Sequence, residues 1–260
     1  MYLTKRVLPV LGWLPYERLW GRRVAKVRLG TLLQPLAVAD TGMSEPVRSI
    51  IDMGNEEVEA YVKCVDERRL LVEFASALLG RLLGLPVPEP VLVFVPAQFG
   101  KEGYAFGSIA EPHPNMRGQP TDGFAFSRLR QWSKLASAAC FDEWIANCDR
   151  HPGNLLFDGR RNFWLIDHDR AMLCAADIPN LRNILFGHLV GNPPVADQAL
   201  NRHKTRGAAN SFVKQDLAAV VADIPVGPWG LPMVADIEAW LLDRRSRLVT
   251  LSEARIPSVT

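Results

Sequence analysis

The sequence is poor in the features that mark the most easily assigned protein classes. Its 260 residues hold only four cysteines, Cys64, Cys140, Cys148 and Cys174. None forms a C-x-x-C pair, so neither a zinc ribbon nor a thioredoxin-like redox couple is predicted. Reduced, mostly buried thiols in a cytoplasmic protein are the expectation. The five histidines show no H-x-x-x-H spacing, which argues against a zinc site. No apolar run approaches the roughly 20 residues of a membrane-spanning helix, and no membrane association is expected. The N-terminus, MYLTKRVLPVLGWLP, is apolar but broken by Pro9, Gly12 and Pro15. It lacks a small-x-small cleavage site and reads as mature protein. An excess of one charge is missing too: 30 Lys and Arg against 28 Asp and Glu leave +2, so direct nucleic-acid binding is not expected. Internal repeats and low-complexity tracts are absent.

What remains is an ordinary globular composition, 48% apolar and 22% charged. The length suits one large domain or two modest lobes. Residues 1–40 carry weak signals; Arg23 to Leu29 alternates apolar and basic residues and is predicted as an edge strand. From Ile50 the pattern sharpens. Ser49 to Asp52, a Gly54-Asn55 turn, and alternating Val58, Ala60, Val62 and Cys64 predict a β-hairpin. Leu71, Phe74, Ala75, Leu78, Leu79 and Leu82 form a helical stripe, ended by Gly84 and Pro86. Val91 to Val95 is predicted as a buried strand, and the Gly- and Pro-rich stretch from Gly100 to Gly123 as connector and loop. Residues 128–147 read as one long helix. Leu155–Phe157 and Phe163–Ile166 flank a turn and predict a second hairpin. Another helix is expected from about Met233 to Glu253. Strands first and helices after predict an α+β fold of two lobes, divided near residues 107 and 108.

The segment with chemical content is Cys148-Asp149-Arg150-His151-Pro152-Gly153-Asn154, followed across the second hairpin by Ile166-Asp167-His168-Asp169. Taken singly, each polar residue has a plain explanation as a helix cap or an Asx-turn. Jointly, an Asp, an Asn five residues on, and a second Asp thirteen further return to one edge of a hairpin. Phosphoryl transfer needs such a set: a carboxylate for the attacking hydroxyl, and an amide oxygen with a second carboxylate for Mg²⁺. Upstream, Lys63 on a strand and Glu73 on the following helix could supply the cation for nucleotide phosphates and the acid that holds it. In isolation Lys63 reads as a solvated strand lysine and Glu73 as an acid near a helix N-terminus. Thr41-Gly42-Met43-Ser44 precedes the first hairpin, and its small residues would let backbone amides approach phosphates. It is neither G-x-G-x-x-G nor a Walker loop. His168 reads as a packing residue, and Asp169 as either a partner of Arg170 or a further metal contact.

D-R-H-P-G-N followed by L-I-D-H-D resembles the catalytic and metal-binding segments of the HipA-like kinases, which share an atypical protein-kinase-like fold distantly similar to phosphatidylinositol 3/4-kinases. The stretch L-L-V-E-F-A-S-A-L-L-G-R-L-L-G-L-P-V-P-E-P resembles the same family's helix and its exit. The resemblance implies a bilobal fold: residues 1–107 as a small antiparallel-sheet lobe with the Glu73 helix, and residues 108–260 as a mainly helical lobe. It implies Asp149 as the catalytic residue and Asn154 and Asp167 as metal ligands. Lys63 and Glu73 would serve the nucleotide, with Gly42, Met43 and Ser44 as the phosphate loop. It further implies ATP and Mg²⁺ as cofactors, adenine near Phe106 and Gly107, and a protein Ser/Thr hydroxyl as acceptor. A helix-turn-helix regulatory partner belongs to the same expectation. The additional N-terminal domain of toxin-type members is not expected here, which leaves a toxin role open. A small-molecule or lipid-headgroup kinase, and a nucleotide-binding module without turnover, are the alternatives.

Overall fold

The strands of the first hundred residues bury one face each, and a computed structural model shows how they close on themselves. The structure describes residues 27–36, 46–100, 102–191, 195–225 and 230–256. Five strands, β1 (Arg28–Pro35), β2 (Val47–Asp52), β3 (Glu57–Lys63), β4 (Pro90–Val95) and β5 (Gly103–Ile109), form a closed barrel in the order β1-β2-β3-β5-β4. Neighbours are antiparallel except β1 and β4, whose parallel pairing closes the ring. The antiparallel sheet expected from sequence is thus a closed barrel with one parallel pair. Closure removes the edges, and leaves an interior small enough for Leu32, Ile51, Ala60, Val62, Val91, Val93, Val95 and Ala105 to fill.

Three local expectations also change. The predicted edge strand at Arg23 to Leu29 lies partly outside the described residues; β1 starts at Arg28 and pairs on both sides. The expected connector at Gly100 to Gly123 contains β5, whose glycines disguise it. Gly107 is required by close approach: a Cβ there would lie 2.5 Å from Val93 Cγ2 and 3.1 Å from the Val91 carbonyl. The single helix expected over 128–147 is two, α2 (Phe124–Arg130) and α3 (Leu135–Trp144). Between them Trp132 turns inward against Phe163, ring centroids 5.4 Å apart, and packing overrides the continuous helical pattern.

Helix α1 (Glu67–Leu82) begins at the Asp66 cap, whose carboxylate accepts from the Arg69 amide at 3.0 Å. It starts earlier than the stripe suggested, so Glu67 joins Glu73 as an acid of this helix. Residues Leu70 to Gly80 are buried all round rather than on one stripe. α1 packs on one side against Leu92 and Phe106 of the barrel and on the other into the core of the helical part. That part comprises α3, α4 (Ile184–Val190), α5 (Val195–Val213), α6 (Leu217–Asp223) and α7 (Leu231–Ala254). The helix expected near 233–253 is α7. Two buried links fasten it to α3. Trp144 Nε1 donates to the Leu241 carbonyl at 3.0 Å, and Arg244 pairs with Glu143 at 2.9 Å. The second predicted hairpin is present as β6 (Leu155–Phe157) and β7 (Phe163–Leu165).

Candidate active site

Lys63 ends β3 on the outside of the barrel, facing α1 and the β6–β7 hairpin. Its side chain is 7% exposed and its Nζ lies 2.6 Å from Asp167 Oδ1, 2.6 Å from Asp169 Oδ2 and 3.8 Å from Glu73 Oε1. Glu73 comes from the middle of α1, where burial is complete, and its other oxygen accepts the His168 amide at 2.9 Å. Asp167, His168 and Asp169 follow β7. Asp167 takes a left-handed φ of 59°, a conformation that Asp tolerates better than most residues.

Three carboxylates therefore crowd one ammonium. Burial pushes Glu73 up to about 7, against the pull of Lys63. Burial, then the Glu73 charge, raises Asp167 above the ordinary carboxylate range. Asp169 goes the other way: burial is outweighed by Lys63 and Arg69, which both bind it. Burial would lower Lys63, but Glu73 and Asp167 outweigh it and hold its pKa above the usual value. His168, enclosed with its ring edge-on to Phe141 at 5.6 Å, is pushed down by burial to about 3. It is a neutral packing residue, as its position suggested, and its Nε2 is a buried atom that lacks a partner among the described residues.

The loop from Asn147 to Asn154 is built around Arg150. Its guanidinium grips the Asp142 carboxylate of α3 at 2.8 and 3.0 Å, fully buried, and Nη1 donates to the carbonyls of Asn154 and Ile166 at 2.7 Å each. One side chain thus ties helix, loop and hairpin end together. Asn154 Nδ2 donates to the Asp149 carbonyl at 2.9 Å, which leaves the amide oxygen as its remaining polar atom. The Asp149 carboxylate is partly exposed, with Arg170 Nε 3.6 Å away. Opposite the site, Asp158 holds the hairpin turn, accepting from the amides of Arg160, Arg161 and Asn162. Those bonds outweigh its slight burial and hold it down at about 2.

Lys63, Glu73, Asn154 and Asp167 line a single cavity of about 500 Å³, together with Phe106 and His168. Asp149 is not part of that wall; it joins the site through Asn154 and the loop. Gly42, Met43 and Ser44 lie outside the described residues. Asp169 partners Lys63 and Arg69, while Arg170 turns to Asp149; of the two readings open for Asp169, pairing with Arg170 is thereby corrected. Arg69 and Asp142 are site residues that the sequence reading did not single out. The donor set suits a hard cation: ligand atoms of Glu73, Asp167 and Asp169 lie within 4.8 Å of one another, and Asn154 adds an amide oxygen on the same cavity.

Comparison with known proteins gives a family and a fold. A family model described as HipA-like kinase matches residues 38–235, well over half of the chain. A search of curated proteins returns no match. Among solved structures, the Helicobacter pylori proinflammatory kinase CtkA is similar with a TM-score of 0.57 at 10% identity, covering 90% of this chain and 99% of its own. HipA of Shewanella oneidensis, solved as a toxin–antitoxin complex with HipB and operator DNA, is similar with a TM-score of 0.52 at 17% identity. That match covers 92% of this chain and 70% of HipA.

Proposed function

The chain belongs to the HipA-like kinase family, and on that premise we propose that it transfers the γ-phosphate of ATP, with Mg²⁺, to a Ser or Thr hydroxyl of a protein. The observation that carries the proposal is convergence. Lys63 from the barrel, Glu73 from α1, Asn154 from the loop and Asp167 from the hairpin end line one cavity, although more than a hundred residues separate the first from the last. We read the barrel and the helical part as two lobes, divided near 107 and 108, with the nucleotide between them and its base near Phe106.

In this reading each residue has a task. Lys63 binds the anionic phosphates, and Glu73 holds the lysine from beneath. Asn154 and Asp167 would hold Mg²⁺, and the bound ion would neutralise charge that develops on the phosphoryl group. Glu73, too deeply buried and engaged with His168, is left to orient the lysine. Asp169, clamped between Lys63 and Arg69, fixes the lysine from its other side. Asp149 orients the acceptor hydroxyl for in-line attack and takes its proton. Arg150 keeps loop and hairpin in register, so that Asp149 and Asp167 act at one centre. Gly42, Met43 and Ser44 are proposed to cover the phosphates. A helix-turn-helix partner and a cytoplasmic setting complete the reading.

The test is transfer from γ-labelled ATP with Mg²⁺ into a lysate protein fraction, native chain against Asp149→Asn. The native chain should label protein, and the variant should fall by at least about a hundredfold while still binding nucleotide. Equal labelling by both would remove Asp149 from its role.

A further inference from the structure

The loop from Asn147 to Asn154 is pinned at its two ends by different groups. Arg150 holds the far end through the carbonyls of Asn154 and Ile166. The near end, where the chain leaves α3, is held by two buried amide side chains, Asn147 and Asn180. The exit runs through Ala146, which takes a left-handed φ of 46° without being glycine. Such a conformation persists only where its surroundings enforce it. The Asn147 amide closes the turn on the Asp142 carbonyl at 2.9 Å, and the Met172 amide donates to the Ile145 carbonyl at 2.8 Å. Asn180 braces the same turn from more than thirty residues away. Its Nδ2 donates to the Asn147 carbonyl at 2.8 Å and to the Asp142 carbonyl at 3.2 Å, while its backbone amide donates to Glu143 Oε1 at 2.9 Å. Glu143 is held in turn by Arg244 of α7. Past the turn, Asn147 Oδ1 accepts the Asp149 amide at 3.1 Å. A series of bonds thus runs from α7 through Glu143, Asn180 and Asn147 to Asp149.

Stability alone does not account for Asn147. Its Nδ2 is buried and has no hydrogen-bond partner among the described residues. A half-satisfied buried amide costs stability that an apolar side chain of the same shape would not. The bond its side chain does make is the one to Asp149. The two ends of the loop therefore divide the work. Arg150 fixes Asn154 and the hairpin end, which line the cavity, whereas Asn147 and Asn180 fix Asp149, which lies outside that wall. Loosening the near end moves Asp149 and leaves the wall in place. A shift of about 1 Å in a group that orients a reacting atom costs a rate factor on the order of a hundred.

We propose that Asn147 and Asn180 are positioning residues, which act in series to set the Asp149 carboxylate against the acceptor hydroxyl. The proposal rests on the phosphotransfer reading above and adds two residues to it. The test measures transfer from γ-labelled ATP with Mg²⁺ by the full chain, with kcat and the KM for ATP read separately. Asn147→Ala and Asn180→Ala should each lower kcat at least about tenfold and keep the KM for ATP within about twofold. Combining them should cost no more than the larger single loss, since both act through one bond. Asn147→Ser keeps an oxygen for the Asp149 amide and should recover kcat to within about threefold of native. This comparison of serine with alanine decides the matter even if Asn180→Ala does not fold. Amide exchange gives a second readout, independent of turnover: residues 147–154 should exchange faster in Asn147→Ala and Asn180→Ala, and β3 should not. Native kcat in either alanine variant, a serine variant no better than alanine, or unchanged exchange of the loop would overturn the positioning and leave the kinase reading standing. A KM for ATP that rises as far as kcat falls would overturn it too, because the cavity itself would then have moved. A native chain that transfers no phosphate would overturn the phosphotransfer reading and the positioning together.

Discussion

Lys63 sits among more negative charge than it can neutralise. Glu73, Asp167 and Asp169 all approach its ammonium, and the most deeply buried of the three responds by holding a proton up to about pH 7. Its neighbour His168 does the opposite, refusing a proton down to about pH 3. The two have opposed consequences for stability. Glu73 binds its proton more tightly when folded than at its ordinary 4.5, so its contribution is full below that value and is lost as pH rises through 7. His168 ordinarily titrates near 6.5, so its contribution is full above that value and is lost as pH falls towards 3. Between about pH 4.5 and 6.5 the two slopes, each about 1.4 kcal/mol per pH unit, cancel. Glu73→Gln removes one slope. Urea unfolding should then show the variant losing about 2 kcal/mol between pH 6.5 and 5.0 relative to the native chain. A parallel pair of curves would mean that Glu73 is ionised throughout.

Among elements, the loop and hairpin are held less by their own short hydrogen-bonded ladder than by Arg150 and its buried partner Asp142. Breaking a buried pair by removing one charge leaves the other stranded, at a cost of about 3–5 kcal/mol. Asp142→Asn should lower stability by that order in chemical denaturation, far more than loss of an exposed pair such as Arg247 with Asp243. The element scale also explains what the sequence could and could not reveal. The hairpin, the loop motif, α1 and α7 were legible because each rests on local chemistry: turn residues, caps, and apolar residues at one period. β5 was not, because Gly107 is there for the sake of Val93 and Val91 on another strand. The break between α2 and α3 was hidden for the same reason, since Trp132 answers to Phe163. Asp169 could not be decided locally: its partners Lys63 and Arg69 lie a hundred or more residues away in the chain.

At the scale of the whole molecule, α1 is the pivot. It carries Glu73 at its centre, touches the barrel with one side and shares a core with α3, α6 and α7 on the other. The lysine of the barrel and the acids of the hairpin meet over this helix, and a cavity opens where they meet. Fold similarity to HipA and to CtkA at 10–17% identity shows how far side chains can change while the fold is kept. Under the proposed function, Lys63 and Asp167 act on one nucleotide in that cavity. Titration calorimetry of Mg-ATP into the native chain, Lys63→Met, Asp167→Asn and the double variant tests it most directly. Each single change should weaken binding at least about tenfold, near 1.4 kcal/mol. The double variant should lose less than the sum of the two, as residues sharing a ligand do. Native affinity in either single variant, or strictly additive losses, would contradict a shared site.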